Sequence, residues 1–315
     1  MTTLSPRTGH TQRSSITLYF EDWGQTDHPA ILLVMGLSGQ LIFWPDVLVQ
    51  GLVAAGFRVI RFDNRDIGWS GKVTHRARLP MHRLMLRSTF GLSIEAPYTL
   101  HDMALDACAL LRELQIHNVH LVGVSMGGMI AQIMAAYYPD LVASLTLLMT
   151  SDLSPLFSIP PDPAMLWTML SGGFGGRKAK GLERPRPEDI AKFMQRLAGR
   201  RYYTNFQDLV QRSRLSLERS YHPPGVARQL LAILATGQLS SSSRRIRCPV
   251  QVIHGLDDPL VHWKAGQRLG RLIPGAKFHP IPGLGHTLPI SFMPELQKRI
   301  LEHISSASVT VKNRF

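Results

Sequence analysis

Three short apolar runs, Ala30–Met35, Val119–Val124 and Leu145–Met149, constrain this chain more than any other feature. His120 and Thr146 are their only hydrogen-bonding side chains. A strand that is apolar on both sides must be covered on both sides, and that calls for a parallel sheet between layers of helices. Further strands are expected at Ile16–Phe20, Arg58–Phe62, Pro249–His254 and Lys277–Ile281. The segments between them carry helical periodicity. Val47–Ala55 stops at Gly56, and Thr99–Leu114 opens with Thr99 and Asp102 at capping-box spacing. In 126–138, Met129, Ile130, Ile133, Met134 and Tyr137 share one side before Pro139 ends the run. A last helix is expected over Pro294–Ile304. The class is α/β.

The rhythm breaks between residues 151 and 246. This stretch opens with Pro155, Pro160, Pro161 and Pro163, has a glycine-rich tract at Gly172–Gly176, and ends in a serine run, Ser240–Ser243. The expected organisation is a core in two parts, 1–150 and 247–315, with a mainly helical cap of residues 151–246 inserted between two late strands. A smaller insertion is expected at 72–98, where Met81, Leu84, Met85 and Leu86 lie among Arg76, Arg78, Arg83 and Arg87. A chain of 315 residues can bury a core without metal or disulfide staples, and its two cysteines, Cys108 and Cys248, are too few for a disulfide scaffold.

The five residues Gly123-Val124-Ser125-Met126-Gly127 join an apolar strand to an amphipathic helix. A serine on so sharp a turn has strained backbone angles, and flanking glycines remove the clashes that bulkier neighbours would cause. The helix behind it contributes free amide donors and a partial positive charge. Serine is a weak nucleophile at neutral pH, so it needs a base, and the base needs an orienting carboxylate. Of the 13 histidines, His286 is the expected base. It ends the loop Pro282-Gly283-Leu284-Gly285-His286 directly after a strand, where an imidazole can reach over the sheet edge. His254 at a strand end, His262 at a helix start and His279 inside a strand are the alternatives. The acid is expected in Gly255-Leu256-Asp257-Asp258-Pro259, with Asp258 preferred and Asp257 left at the surface or capping. Backbone amides of Met126 and of Leu37, in Gly36-Leu37-Ser38-Gly39-Gln40, are the expected oxyanion donors.

Taken together, these residues resemble an α/β-hydrolase from about Ser15 to Ile304, outside the cap. Val34-Met35-Gly36-Leu37 with Trp44-Pro45 is more specific, as is the run Val59 to Ser70 with Asp63-Asn64-Arg65-Asp66-Ile67-Gly68-Trp69-Ser70. With Ser125-Met126-Gly127-Gly128 and Pro282 to His286, they resemble the aclacinomycin methylesterase-like hydrolases and related carboxylesterases. That resemblance implies a triad of Ser125, Asp258 and His286 with Leu37 and Met126 as oxyanion donors. Many of these hydrolases have His-Gly where this chain has Met35-Gly36; the backbone donor survives that change. The serine at the turn argues against dehalogenase or epoxide-hydrolase chemistry, which uses aspartate there.

The expected function is hydrolysis of a small-molecule carboxylic ester through an acyl-enzyme, with water as acceptor and no metal or organic cofactor. Met165, Trp167 and Leu170 are expected either to line the substrate pocket or to form the cap's own core. Other uses of the same triad are a cofactor-free haloperoxidase or perhydrolase and a carbon–carbon bond hydrolase; an idle binding module on the same fold is a different class. The net charge is +13, and residues 177–201 hold nine Lys or Arg against three Asp or Glu. The charge reads first as a solvated basic surface; on the cap it would also suit an anionic substrate or membrane surface. No nucleic-acid motif accompanies the charge, so no nucleic-acid partner is expected. Without an apolar leader or any run of ~18 apolar residues, the expected location is the cytoplasm.

Overall fold

The computed structural model describes residues 5–74, 92–154 and 184–312. One sheet holds β1 (Arg7–Arg13), β2 (Ile16–Trp23), β3 (Ala30–Val34), β4 (Arg58–Phe62), β5 (Val119–Val124), β6 (Val142–Leu148), β7 (Val250–Gly255) and β8 (Lys277–Ile281). Their spatial order is β1-β2-β4-β3-β5-β6-β7-β8. From β4 to β8 all neighbours pair parallel, while β1–β2 and β2–β4 pair antiparallel. The carboxyl ends of β3, β5, β6, β7 and β8 therefore share one edge, the place where open α/β sheets present their ligand-binding loops.

Alternate residues of the apolar strands feed two cores. Ile31 and Leu33 of β3 pack with α1 (Asp46–Ala54) and α9 (Met293–Lys312), through Leu48, Leu52, Leu296 and Ile300. Leu32 and Val34 pack on the other side with α2 (Leu100–Glu113) and α3 (Met126–Tyr137). Helix α8 (Trp263–Leu272) adds Leu269 to that second core. Thr99 caps α2 as its spacing with Asp102 predicts. No helix of the described residues is long and apolar enough to cross a membrane.

Two elements differ from the sequence expectation. The polar segment Arg7–Arg13 is a strand, because pairing with β2 supplies the ladder that its own pattern does not announce. Its largely exposed polar side chains suit an outer edge, which must not recruit other chains. The serine run, to which the sequence pattern assigns no element, is helix α7 (Ser240–Arg245). Ser243 is buried there, and its hydroxyl bonds Gln132 Oε1 and Leu239 O at 2.9 Å each, so helix and hydroxyls are satisfied together.

Between β6 and β7 the chain also forms α4 (Pro187–Leu197), α5 (Phe206–Arg219) and α6 (Pro223–Thr236). Most of the Pro- and Gly-rich stretch, with Met165, Trp167 and Leu170, lies outside the described residues, as does most of the 72–98 insertion. Helices α5 and α6 dock onto the turn after β4. Arg219 pairs with the fully buried Asp63 at 3.0 Å and lies 4.3 Å over the Trp69 ring. Arg228 pairs with the equally buried Asp66 through two bonds of 2.7 and 2.9 Å, and the Tyr98 hydroxyl donates to the same carboxylate at 2.6 Å. Arg228→Met is expected to destabilise the protein by roughly 3–5 kcal/mol, because it leaves the Asp66 charge buried without its cation. Urea unfolding measures this, and an Arg228→Met variant as stable as the parent would refute it.

Candidate active site

The turn after β5 is built by close packing. A Cβ on Gly123 would stand 2.5 Å from Gly127 O, and one on Gly127 would stand 2.0 Å from Val34 O, so neither position accepts a side chain. The chain reverses through Ser125 at φ 55 and ψ −123, a sparsely populated conformation. Backbone bonds hold it there. Ser125 N donates to Leu148 O at 2.9 Å, and Ser125 O accepts from Gly128 N, Met129 N and Thr150 Oγ1. The side chain points free of these bonds. Among the described residues Ser125 Oγ has no hydrogen-bond partner, although it packs next to Gly36, where a Cβ would lie 3.7 Å from it.

The carboxylate and the imidazole come from the loops after β7 and β8. Asp258 is buried, and its Oδ1 accepts from Leu260 N at 2.9 Å and from Val261 N at 2.8 Å. Its Oδ2 lies 2.7 Å from His286 Nδ1 and 3.3 Å from His254 Nε2. Burial alone would raise this carboxyl, but the facing imidazoles of His286 and His254 outweigh it and hold Asp258 well below the usual carboxylate range. An ionised Asp258 only accepts, so it selects a proton on His286 Nδ1, and in the neutral imidazole the lone pair is then on Nε2. His254 Nε2 also donates to Val261 O at 2.8 Å, which ties that imidazole into the loop instead of presenting it to a ligand. Asp257 faces outward and pairs with Arg200 at 2.8 Å. His262 caps α8 and His279 lies within β8, and neither is hydrogen-bonded to Asp258.

The structure thus joins Asp258 to His286 and places Ser125 beside the Gly36–Gln40 loop. It does not join Ser125 to His286: no hydrogen bond links them here. The amides of Leu37 and Met126 have no hydrogen-bond partner among the described residues, so both donors are uncommitted. A cavity of about 150 Å³ opens against Leu37 and Ser38, with Phe43, Ile67, Ile190 and Leu230 among its mostly apolar walls.

Two groups at this edge have no strong local signal. Residues Leu197–Arg201 brace the His286 loop: His286 N donates to Leu197 O at 2.7 Å and Arg201 N to Gly283 O at 2.9 Å. Gln229 of α6 reaches Ser38 N at 3.0 Å. The available hint was the polar pair Arg228-Gln229 inside the otherwise apolar run of α6.

A family model described as alpha/beta hydrolase fold matches residues 29–291. The chain is similar to the rhodomycin D methylesterase DauP of Streptomyces sp. (strain C5), at 28% identity covering 94% of this chain and 98% of the relative. Its fold is similar to a thermophilic esterase from Thermogutta terrifontis (TM-score 0.70, 24% identity, 96% of this chain and 98% of that one). It is also similar to a bromoperoxidase from Bacillus anthracis (TM-score 0.72, 19% identity, 95% and 100%). These two structural likenesses speak for the fold alone.

Proposed function

This chain belongs to the alpha/beta hydrolase fold family, and on that footing we propose that it is a serine esterase using Ser125, His286 and Asp258. The observation that carries the reading is the 2.7 Å bond between Asp258 and His286 Nδ1, which directs Nε2 to serve as the base, on the sheet edge where the Ser125 hydroxyl has no partner among the described residues. The similarity over almost the whole length of a relative named as a methylesterase supports carboxylic esters, methyl esters included, as the substrates.

In the first step Ser125 Oγ attacks the ester carbonyl carbon while His286 Nε2 takes its proton. The negative charge on the former carbonyl oxygen is met by the Leu37 and Met126 amides, and the imidazolium is stabilised by Asp258. Collapse of this intermediate breaks the carbon–oxygen bond to the alcohol, which leaves with the proton from His286. Water then repeats the sequence on the acyl-enzyme, releasing the acid and restoring Ser125.

The region 151–246 acts as a cap over this edge, on a core of 1–150 and 247–315. The apolar cavity beside Leu37 suits a carbon chain or ring of the substrate. The test is hydrolysis of p-nitrophenyl esters of increasing acyl length, together with fluorophosphonate labelling. Hydrolysis with the label located on Ser125 is the expected result. Labelling elsewhere, or ester hydrolysis slower than peroxide-dependent halogenation, would replace the reading.

A further inference from the structure

The loop that offers the Leu37 amide is gripped from both sides by carboxamide side chains. Before Leu37, Asn64 Nδ2 donates to Met35 O at 2.9 Å. After it, Gln229 Oε1 accepts from Ser38 N at 3.0 Å. Gln229 has no exposed surface, and its Nε2 donates to Arg65 O at 2.9 Å, so reversing the carboxamide would break both bonds. Ser38 adopts φ 61, a left-handed conformation that a serine does not favour unless something holds it. Gly39 N closes the turn onto Gly36 O at 3.2 Å. Leu37 N is left as the free donor between two restrained peptides.

Asn64 belongs to the core, directly after β4. Gln229 belongs to α6, which the buried Arg228–Asp66 pair fastens in place one residue earlier. Side chains on packed helices hold geometry better than a loop does alone, and an oxyanion donor displaced by a fraction of an ångström loses much of its effect.

We infer that Gln229 is a positioning residue for the oxyanion hole: through Ser38 N it orients the Leu37 amide, so the hole is complete only when α6 is seated. This rests on the esterase reading above. Gln229 touches neither substrate nor reacting atoms and acts through Ser38.

Gln229→Met keeps the side-chain length and removes both hydrogen-bonding ends. With p-nitrophenyl acetate, kcat is expected to fall ~10–100-fold while KM changes less than about threefold. Phenylboronic acid, which forms a tetrahedral adduct on an active-site serine, is expected to bind more weakly by the same factor as the fall in kcat/KM. A folded Gln229→Met protein with kcat within about twofold of the parent overturns the inference, as does a loss confined to KM with unchanged boronate binding. If the methionine does not pack, Gln229→Ala is read in the same way. A measurement on the unaltered protein stands beside these. Hydrogen exchange at the Ser38 amide is expected to be slow for a loop, and exchange at the rate of an open loop overturns the inference whatever the kinetics. If the unaltered protein hydrolyses no ester, the esterase reading fails by itself, and slow or fast exchange at Ser38 still decides whether the Gln229 contact holds.

Discussion

Ser125→Ala is expected to lower kcat for a short p-nitrophenyl ester by ~10⁴–10⁶-fold and to leave thermal stability almost unchanged. Both halves follow from the turn. The hydroxyl is the one atom removed, and among the described residues it bonds to nothing, so no stabilising contact is lost. The bonds that hold the turn use Ser125 N and Ser125 O, which alanine retains. The strained φ of 55 is shared by both residue types, and the flanking glycines that make room for it are untouched. A stability change within ~0.5 kcal/mol is therefore expected. Scanning calorimetry alongside the kinetic assay separates chemistry from folding. A variant that retained a tenth of the activity would show that Ser125 is not the nucleophile.

Asp258→Asn is expected to lower kcat by about 10⁴-fold through the wrong imidazole tautomer. Two backbone amides decide which way the new carboxamide turns. Leu260 N and Val261 N both donate to the position of Oδ1, so the oxygen of the new carboxamide must face them. Its NH₂ then faces His286 Nδ1, and two donors cannot meet there. The imidazole must accept at Nδ1 and carry its proton on Nε2, where it can no longer take one from serine. A nitrogen-15 spectrum of the imidazole reads the tautomer directly, and an Asp258→Asn protein with the proton still on Nδ1 would refute the argument. The same carboxylate links folding to pH. Its pKa is depressed in the folded protein, so its stabilising contribution is complete above the ordinary carboxylate value near 4 and is lost as pH falls below that. Acid titration of the parent is expected to show this loss, and the Asp258→Asn protein is expected to lack that component.

Much of the architecture is written locally. A strand apolar on both faces needs two covering layers wherever it sits, and β3, β5 and β6 declare this within a few residues each. The turn at Ser125 is local as well, because only glycine at 123 and 127 lets strand and helix approach so closely. The chain also states its candidate chemistry: a serine at that turn, with aspartates and a histidine in loops that follow later strands.

Other features depend on partners that a segment's own pattern does not name. Arg7–Arg13 is a strand because β2 pairs with it. Asp257 and Asp258 are neighbours with the same chemistry; Arg200 draws one outward, while His286 and two amides enclose the other. Asp63, Asp66, Arg228 and Gln229 are buried polar residues, and each meets a partner from more than 150 residues away: Arg219 for Asp63, Arg228 for Asp66 and Ser38 for Gln229. Sequence periodicity records which side of an element is apolar, because burying apolar surface does not depend on direction. Charges and carboxamides need a partner at one distance and one angle, and only the folded chain supplies it.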